Sequence, residues 1–358
     1  MIDRIKVTTF TDRINEIAKQ HTLPQTQYLG NKEKFVSWIS KFVPKNVNSC
    51  IDAFSGSSVV GYKMKDLGLK VLSNDLFKFN YYIAKAVVGN NNIKLSEDDI
   101  KMLLSENKEK SDFIEKEFTD LFYTKPECIF LDNLWFNIQK LDNEYKKALA
   151  FTSICRTLTR KVLFGYFCHT KAMEYRSHPE RVKRNPSINQ DIKELFSFFI
   201  RNYNTAVFNN NKDNQTFNEN ILDLIPKVNV DLAYFDPPYV NIHPDYQGFY
   251  HFLETYVNYW KNKKLINKTK MTEKIPSGFV KSREIITSFK ELFKRSEHIP
   301  YWLISYNSRA YPDAETMINL IEKFKDVTLE RYEYSENVGG MGGRKGSEEY
   351  LFVCKPKI

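Results

Sequence analysis

A chain of 358 residues, 42% hydrophobic and 27% charged, holds enough apolar material for a sizeable core, which excludes a disordered protein. Lysine and arginine outnumber aspartate and glutamate by 53 to 44, a formal charge of +9 that favours a polyanionic partner. Residues 1–13 carry charge throughout, and no stretch reaches the roughly 18 apolar residues of a membrane span, so a soluble, cytoplasmic protein without a membrane partner is expected. Five scattered cysteines without a C-x-x-C pair indicate neither a disulfide framework nor a zinc site, and the histidines show no ligand spacing, so no metal is expected.

In chain order, residues 49–54 (SCIDAF) read as a strand, 59–67 as a helix, 70–75 (KVLSND) as a strand and 76–88 as a helix. This alternation predicts a parallel sheet with helices on its faces. From 89 to 214 the patterns are helical; in residues 111–123, Phe113, Ile114, Phe118, Leu121 and Phe122 share a face. Asparagine runs at 90–92 and 209–211 flank this stretch, as loops at the two ends of an insertion do and as biased composition also does. Residues 231–236 (DLAYFD) and 301–307 (YWLISYN) are nearly continuous apolar runs of the central-strand kind, and between them 282–296 put Ile285, Ile286, Phe289, Leu292 and Phe293 on one helical stripe. Residues 327–334 and 348–355 read as strands joined by the glycine-rich loop 339–347, which permits an antiparallel hairpin.

The most specific string is Asp236-Pro237-Pro238-Tyr239, directly after a strand. Two prolines cannot continue a sheet ladder, so the chain leaves as a stiff turn at the carboxyl edge of the sheet, where open α/β folds bind ligands. An amino group there could give one hydrogen to the Asp236 carboxylate and the other to the Pro237 carbonyl, with a planar base stacked on Tyr239. A rigid turn with an incidental aspartate is the plainer reading. The second constellation, Asp52 to Ser58, also leaves a strand; its small residues, Gly56 among them, let backbone amides approach a ligand. Asp75 ends the next strand, the place from which a carboxylate reaches ribose hydroxyls. A phosphate loop and the zinc-deaminase signature are both absent.

Taken with Tyr28-Leu29-Gly30-Asn31-Lys32 upstream, Asn74-Asp75, and Ser305-Tyr306-Asn307 downstream, these strings resemble the N6-adenine-specific DNA methyltransferases of the D12 class, alpha group. The resemblance covers about 1–90 and 215–358. It implies an S-adenosylmethionine-dependent methyltransferase (Rossmann-like) α/β fold with a mixed seven-stranded sheet and an antiparallel carboxyl-terminal hairpin. The catalytic domain would comprise 1–89 and 215–358, with 90–214 as an inserted, mainly helical target-recognition region. It further implies S-adenosyl-L-methionine held by Tyr28, Lys32, Asp52, Phe54, Gly56, Asp75 and Asn220, with Asp236, Pro237, Pro238 and Tyr239 catalytic. The family loop reads F-x-G-x-G, and here Ser58 replaces the second glycine, so either the backbone tolerates a side chain or cofactor affinity falls.

The partner implied is double-stranded DNA, from which the target adenine must be flipped at a cost of roughly a few kcal/mol. A cognate restriction endonuclease is the partner that a restriction-modification role brings. Tyr246, Phe249 and Tyr250 either help to hold the base or simply pack. Phosphate contacts need basic groups; candidates are Arg176, Arg181, Lys183 and Arg184, with further clusters at Arg156, Arg160 and Lys161 and from Lys261 to Lys274. A non-catalytic DNA-binding subunit, and methylation of N4 of cytosine or of adenine in RNA, stay open at this point.

Overall fold

The computed structural model describes residues 5–8, 21–242, 245–336 and 344–357. Among these residues eight strands form one sheet in the order β1-β7-β8-β6-β5-β2-β3-β4. They are β1 (Ile5–Thr8), β2 (Ser49–Asp52), β3 (Lys70–Asn74), β4 (Gln215–Phe217), β5 (Leu232–Phe235), β6 (Tyr301–Asn307), β7 (Lys325–Glu336) and β8 (Arg344–Pro356). β2 through β8 make up the mixed seven-stranded sheet, in which only β8 runs antiparallel to its neighbours β6 and β7. β1 adds a parallel edge to β7. The glycine-rich loop between β7 and β8 falls outside the described residues at 337–343, as does most of the charged amino-terminal segment.

The burial pattern explains the sequence pattern. β5 is buried at all four residues and β2 at three of four, so both read as continuous apolar runs rather than alternating ones. The helix Ser282–Arg295 buries Ile285, Phe289, Leu292 and Phe293 on the sheet, while Ile286 lies half-buried at the edge of the stripe. Each such side chain contributes about 1.5–3 kcal/mol. The helix expected over 76–88 is an α-helix, Lys78–Ala84, that widens into a π-helical turn at Lys85–Gly89. Its first amides, Lys78 and Phe79, each donate at 3.1 Å to the buried Glu254 carboxylate, which supplies the partners a helix start lacks.

Residues 90–214 are helical, with Lys125–Gln139, Glu144–Lys161 and Ile192–Ala206 as the long members. Their apolar faces join the hydrophobic cluster on one side of the sheet; Phe151 stacks on Tyr82 at 4.6 Å between ring centroids. The asparagine runs prove to be structural. Asn91 donates to the Lys212 carbonyl at 2.9 Å, and Asn210 donates to the Lys65 and Leu69 carbonyls, so the two ends of the stretch are tied together against the sheet.

The chain leaves β2 and β5 side by side, Asp52 lying in register with Tyr234. β3 and β4 extend the sheet from β2 in one direction and β6 from β5 in the other, so the turns after β2 and β5 meet at a topological switch point.

Candidate active site

A cavity of about 330 Å³ opens at that switch point. Tyr28 to Lys32, Asp52 to Ser57, Asp75, Asn220, Asp236 and Pro238 all line it. Strings as far apart in the chain as Tyr28 and Pro238 are thus gathered around the parallel strands β3, β2 and β5.

The turn after β2 is shaped by its backbone. Gly56 has φ +47°, and a Cβ there would sit 3.0 Å from the Tyr28 ring, so only glycine fits without displacing the tyrosine. The Gly56 amide donates to Asp75 Oδ2 at 2.8 Å, and the Phe77 amide to Asp75 Oδ1 at 2.9 Å, which fixes that carboxylate on the cavity wall. Ser58 adopts the glycine conformation, φ 61° and ψ 16°, and the helix Val59–Asp66 starts from it. The turn therefore holds a side chain in a left-handed bend. Farther in, Asp52 Oδ2 accepts from the Gly61 amide at 2.9 Å, while Oδ1 has no partner. Burial pushes Asp52 up to about 8, against the Gly61 bond and with help from the charges of Asp236 and Asp75.

One wall is aromatic. Tyr28 stacks on Tyr250 at 5.0 Å and on Tyr246 at 5.7 Å, and the Tyr250 hydroxyl accepts from the Leu29 amide at 2.7 Å. Both downstream tyrosines thus hold the Tyr28 turn in place. Phe54 meets Phe279 edge to face at 5.1 Å, and residues 274–281 close the rim.

The turn after β5 carries a dense polar cluster. The Lys32 ammonium lies 2.9 Å from Asp236 Oδ2 and 3.5 Å from Glu349 Oε1, and it donates to the Gly30 carbonyl at 3.0 Å. The Tyr239 hydroxyl is 2.8 Å from Asp236 Oδ1 and 2.8 Å from Glu349 Oε1. Its ring packs edge on against Tyr306 of β6 at 5.5 Å, with Lys32 Nζ 4.9 Å from the ring centre. Burial raises the Asp236 carboxyl, and the Lys32 charge and bond oppose that rise. Glu349, on β8, gave no signal in the sequence beyond one residue of a strand.

The cavity suits an adenosyl sulfonium compound. Its acids match ribose hydroxyls and a positive charge, its Gly56 cradle would be filled by a Cβ, and the buried Ser55 hydroxyl is unpartnered. Asn220 accepts from the Leu222 amide as a helix cap and shows its remaining surface to the cavity.

The basic candidates divide. Arg176 does not face solvent as expected: its guanidinium grips Glu127, with Nη2 to Oε1 at 2.8 Å, and also donates to the Ile188 carbonyl. Lys161 is buried on the same Glu127 at 3.0 Å, and the half-buried Arg156 lies over the Phe199 ring at 5.3 Å. These cations read as free in the sequence because their partners lie far along the chain. The helix Pro179–Arg184 buries none of its residues; Lys183 and Arg184 are exposed, and Arg181 lies over Tyr175 at 4.3 Å. No helix among the described residues is long and apolar enough to cross a membrane.

The model of the D12 class N6 adenine-specific DNA methyltransferases matches residues 28–307. The chain is 31% identical over 340 residues to the type II methyltransferase M2.HphI of Haemophilus parahaemolyticus, covering 93% of this chain and 98% of that protein. It is 25% identical to the modification methylase LlaI of Lactococcus lactis subsp. lactis and 24% identical to the modification methylase StsI of Streptococcus sanguinis, at 93% and 92% coverage of this chain. The chain spans 55% and 52% of those two longer proteins, about half of each.

Proposed function

Because the chain belongs to the D12 class of N6 adenine-specific DNA methyltransferases, we propose that it uses S-adenosylmethionine in this cavity and presents the target adenine to Asp236. The observation that carries the reading is the shared cavity: Asp236 and Pro238 line the same space as Gly56 and Asp75.

Tyr28, Asp52, Phe54, Gly56, Asp75 and Asn220 would hold the cofactor, which when bound supplies an electrophilic methyl group. The amino nitrogen of adenine is a weak nucleophile because its lone pair is delocalised into the ring. Asp236 and the Pro237 carbonyl accept its two hydrogens and favour the geometry in which the lone pair leaves conjugation, a preorganised acceptor pair. The diproline turn keeps the pair rigid, so positioning supplies much of the rate. The Lys32 charge favours the ionised form of Asp236 against the effect of burial. Tyr239 orients the carboxylate through its hydroxyl, and the base would stack on its ring.

The exposed helix Pro179–Arg184 is the proposed phosphate contact, with Arg181, Lys183 and Arg184 in that role and residues 90–214 as the target-recognition region of a catalytic domain formed by 1–89 and 215–358. The names of the relatives support a place in a restriction-modification system with a cognate endonuclease as partner. Expression in a host whose DNA is then sequenced for modified bases tests the reading. N6-methyladenine at one recurring motif is expected; unmodified adenine throughout would overturn it.

A further inference from the structure

A phenol has one hydrogen to give, and Tyr239 has two carboxyl oxygens at 2.8 Å, one on Asp236 and one on Glu349. Were both acids ionised, one contact would hold the hydrogen and the other would press lone pair against lone pair. A proton on Glu349 removes the conflict: its carboxyl donates to the Tyr239 oxygen, and the phenol donates onward to Asp236. Charge counting points the same way. Among the described residues Lys32 is the ammonium in contact with these acids, closer to Asp236 at 2.9 Å than to Glu349 at 3.5 Å. One cation balances one anion, and a second anion at 2% exposure would stand uncompensated.

We propose that Glu349 works as a neutral acid, a positioning residue that turns the Tyr239 hydroxyl toward Asp236 and leaves Asp236 the one negative charge facing the target amino group. The inference rests on the reading of Asp236 as the amino-group acceptor. β8 brings Glu349 to this place by pairing it with Asn307 at the end of β6. The groups that face it are Lys32 and Tyr246 from the cavity side, Tyr234 from β5, Asp236 and Tyr239 from the turn, and Tyr332, its cross-strand partner on β7. Burial pushes the Glu349 carboxyl up to about 7, opposed by Lys32 and the Tyr239 bond and aided by Asp236. Below that value the acid is neutral. Above it, two anions compete for one phenolic hydrogen and Asp236 loses its fixed orientation.

The test uses Glu349→Gln, which stays neutral and keeps a donor, and Glu349→Ala, which does not. Wild-type kcat should decline above about pH 7; Glu349→Gln should hold turnover within about threefold and lack that decline, whereas Glu349→Ala should lose about tenfold or more. Infrared difference spectra of cofactor-free wild type minus Glu349→Gln should show a protonated carboxyl band that fades as pH rises. That band needs neither DNA nor turnover, so it stands even if Glu349→Ala fails to fold. Absence of the band, or a Glu349→Gln enzyme as inactive as Asp236→Ala, overturns the proposal. An inactive wild type would instead overturn the functional reading, with the band still deciding the state of Glu349.

Discussion

Lys32 and Asp236 meet at the floor of the cavity, ammonium to carboxylate at 2.9 Å, with the lysine side chain 5% and the aspartate 16% exposed. Removing one member of such a pair leaves the other charge without compensation, a loss of about 3–5 kcal/mol. Lys32→Met should lower the urea midpoint accordingly. It should also move the rise of activity to higher pH, because without the lysine the already raised Asp236 carboxyl holds its proton longer. An unshifted pH profile would detach Lys32 from Asp236 in function.

Asp236→Ala removes the amino-group acceptor and leaves the cavity walls standing. Methyl transfer should vanish while S-adenosylmethionine binding stays measurable by calorimetry. Full turnover by this variant would reject the assigned mechanism.

Ser58 sits at φ 61°, a conformation that costs an L-residue roughly 1–2 kcal/mol over glycine in sterics, partly returned by glycine's greater unfolded-state entropy. Ser58→Gly should therefore stabilise the protein by about 0.5–1 kcal/mol in thermal denaturation. Gly56→Ala should do the reverse to the cofactor: a Cβ at 3.0 Å from the Tyr28 ring displaces the aromatic wall, and calorimetry should record weaker binding.

Neutralising Arg181, Lys183 and Arg184 together should weaken DNA binding and flatten its dependence on salt, since fewer phosphate contacts release fewer counterions. Filter binding across a salt series measures both; an unchanged slope would take this helix out of the interface.

Arg176→Ala should act on folding. Burial works to raise Glu127, but the bond and charge of Arg176 and the charge of Lys161 win and hold it down at about 2. A depressed carboxyl lends stability above its unfolded value, and that share is lost as pH falls from about 4.3 toward 2. Acid denaturation of the variant should accordingly be shallower across that window.

The sheet and the two turns were legible because the signals are local: buried parallel strands read as unbroken apolar runs, and a diproline after one of them has few alternatives. β4, three residues long and partly exposed, leaves no such run and went unread. The role of Arg176 was misread for a related reason, since its partner Glu127 lies 49 positions away. Glu349 was hidden more deeply. Along β8 it is one member of an acidic pair, Glu348 and Glu349, and only the antiparallel register that sets it opposite Asn307 aims it at Tyr239.

β8 slots between β6 and β7, yet it is made after every other strand of the sheet. While a translating ribosome still shelters that strand, the two neighbours have no partner between them and Tyr239 has no Glu349. The cluster around Tyr239 is thus complete only once β8 has been inserted between its neighbours, so the strand that closes the sheet also delivers a carboxyl to the turn after β5.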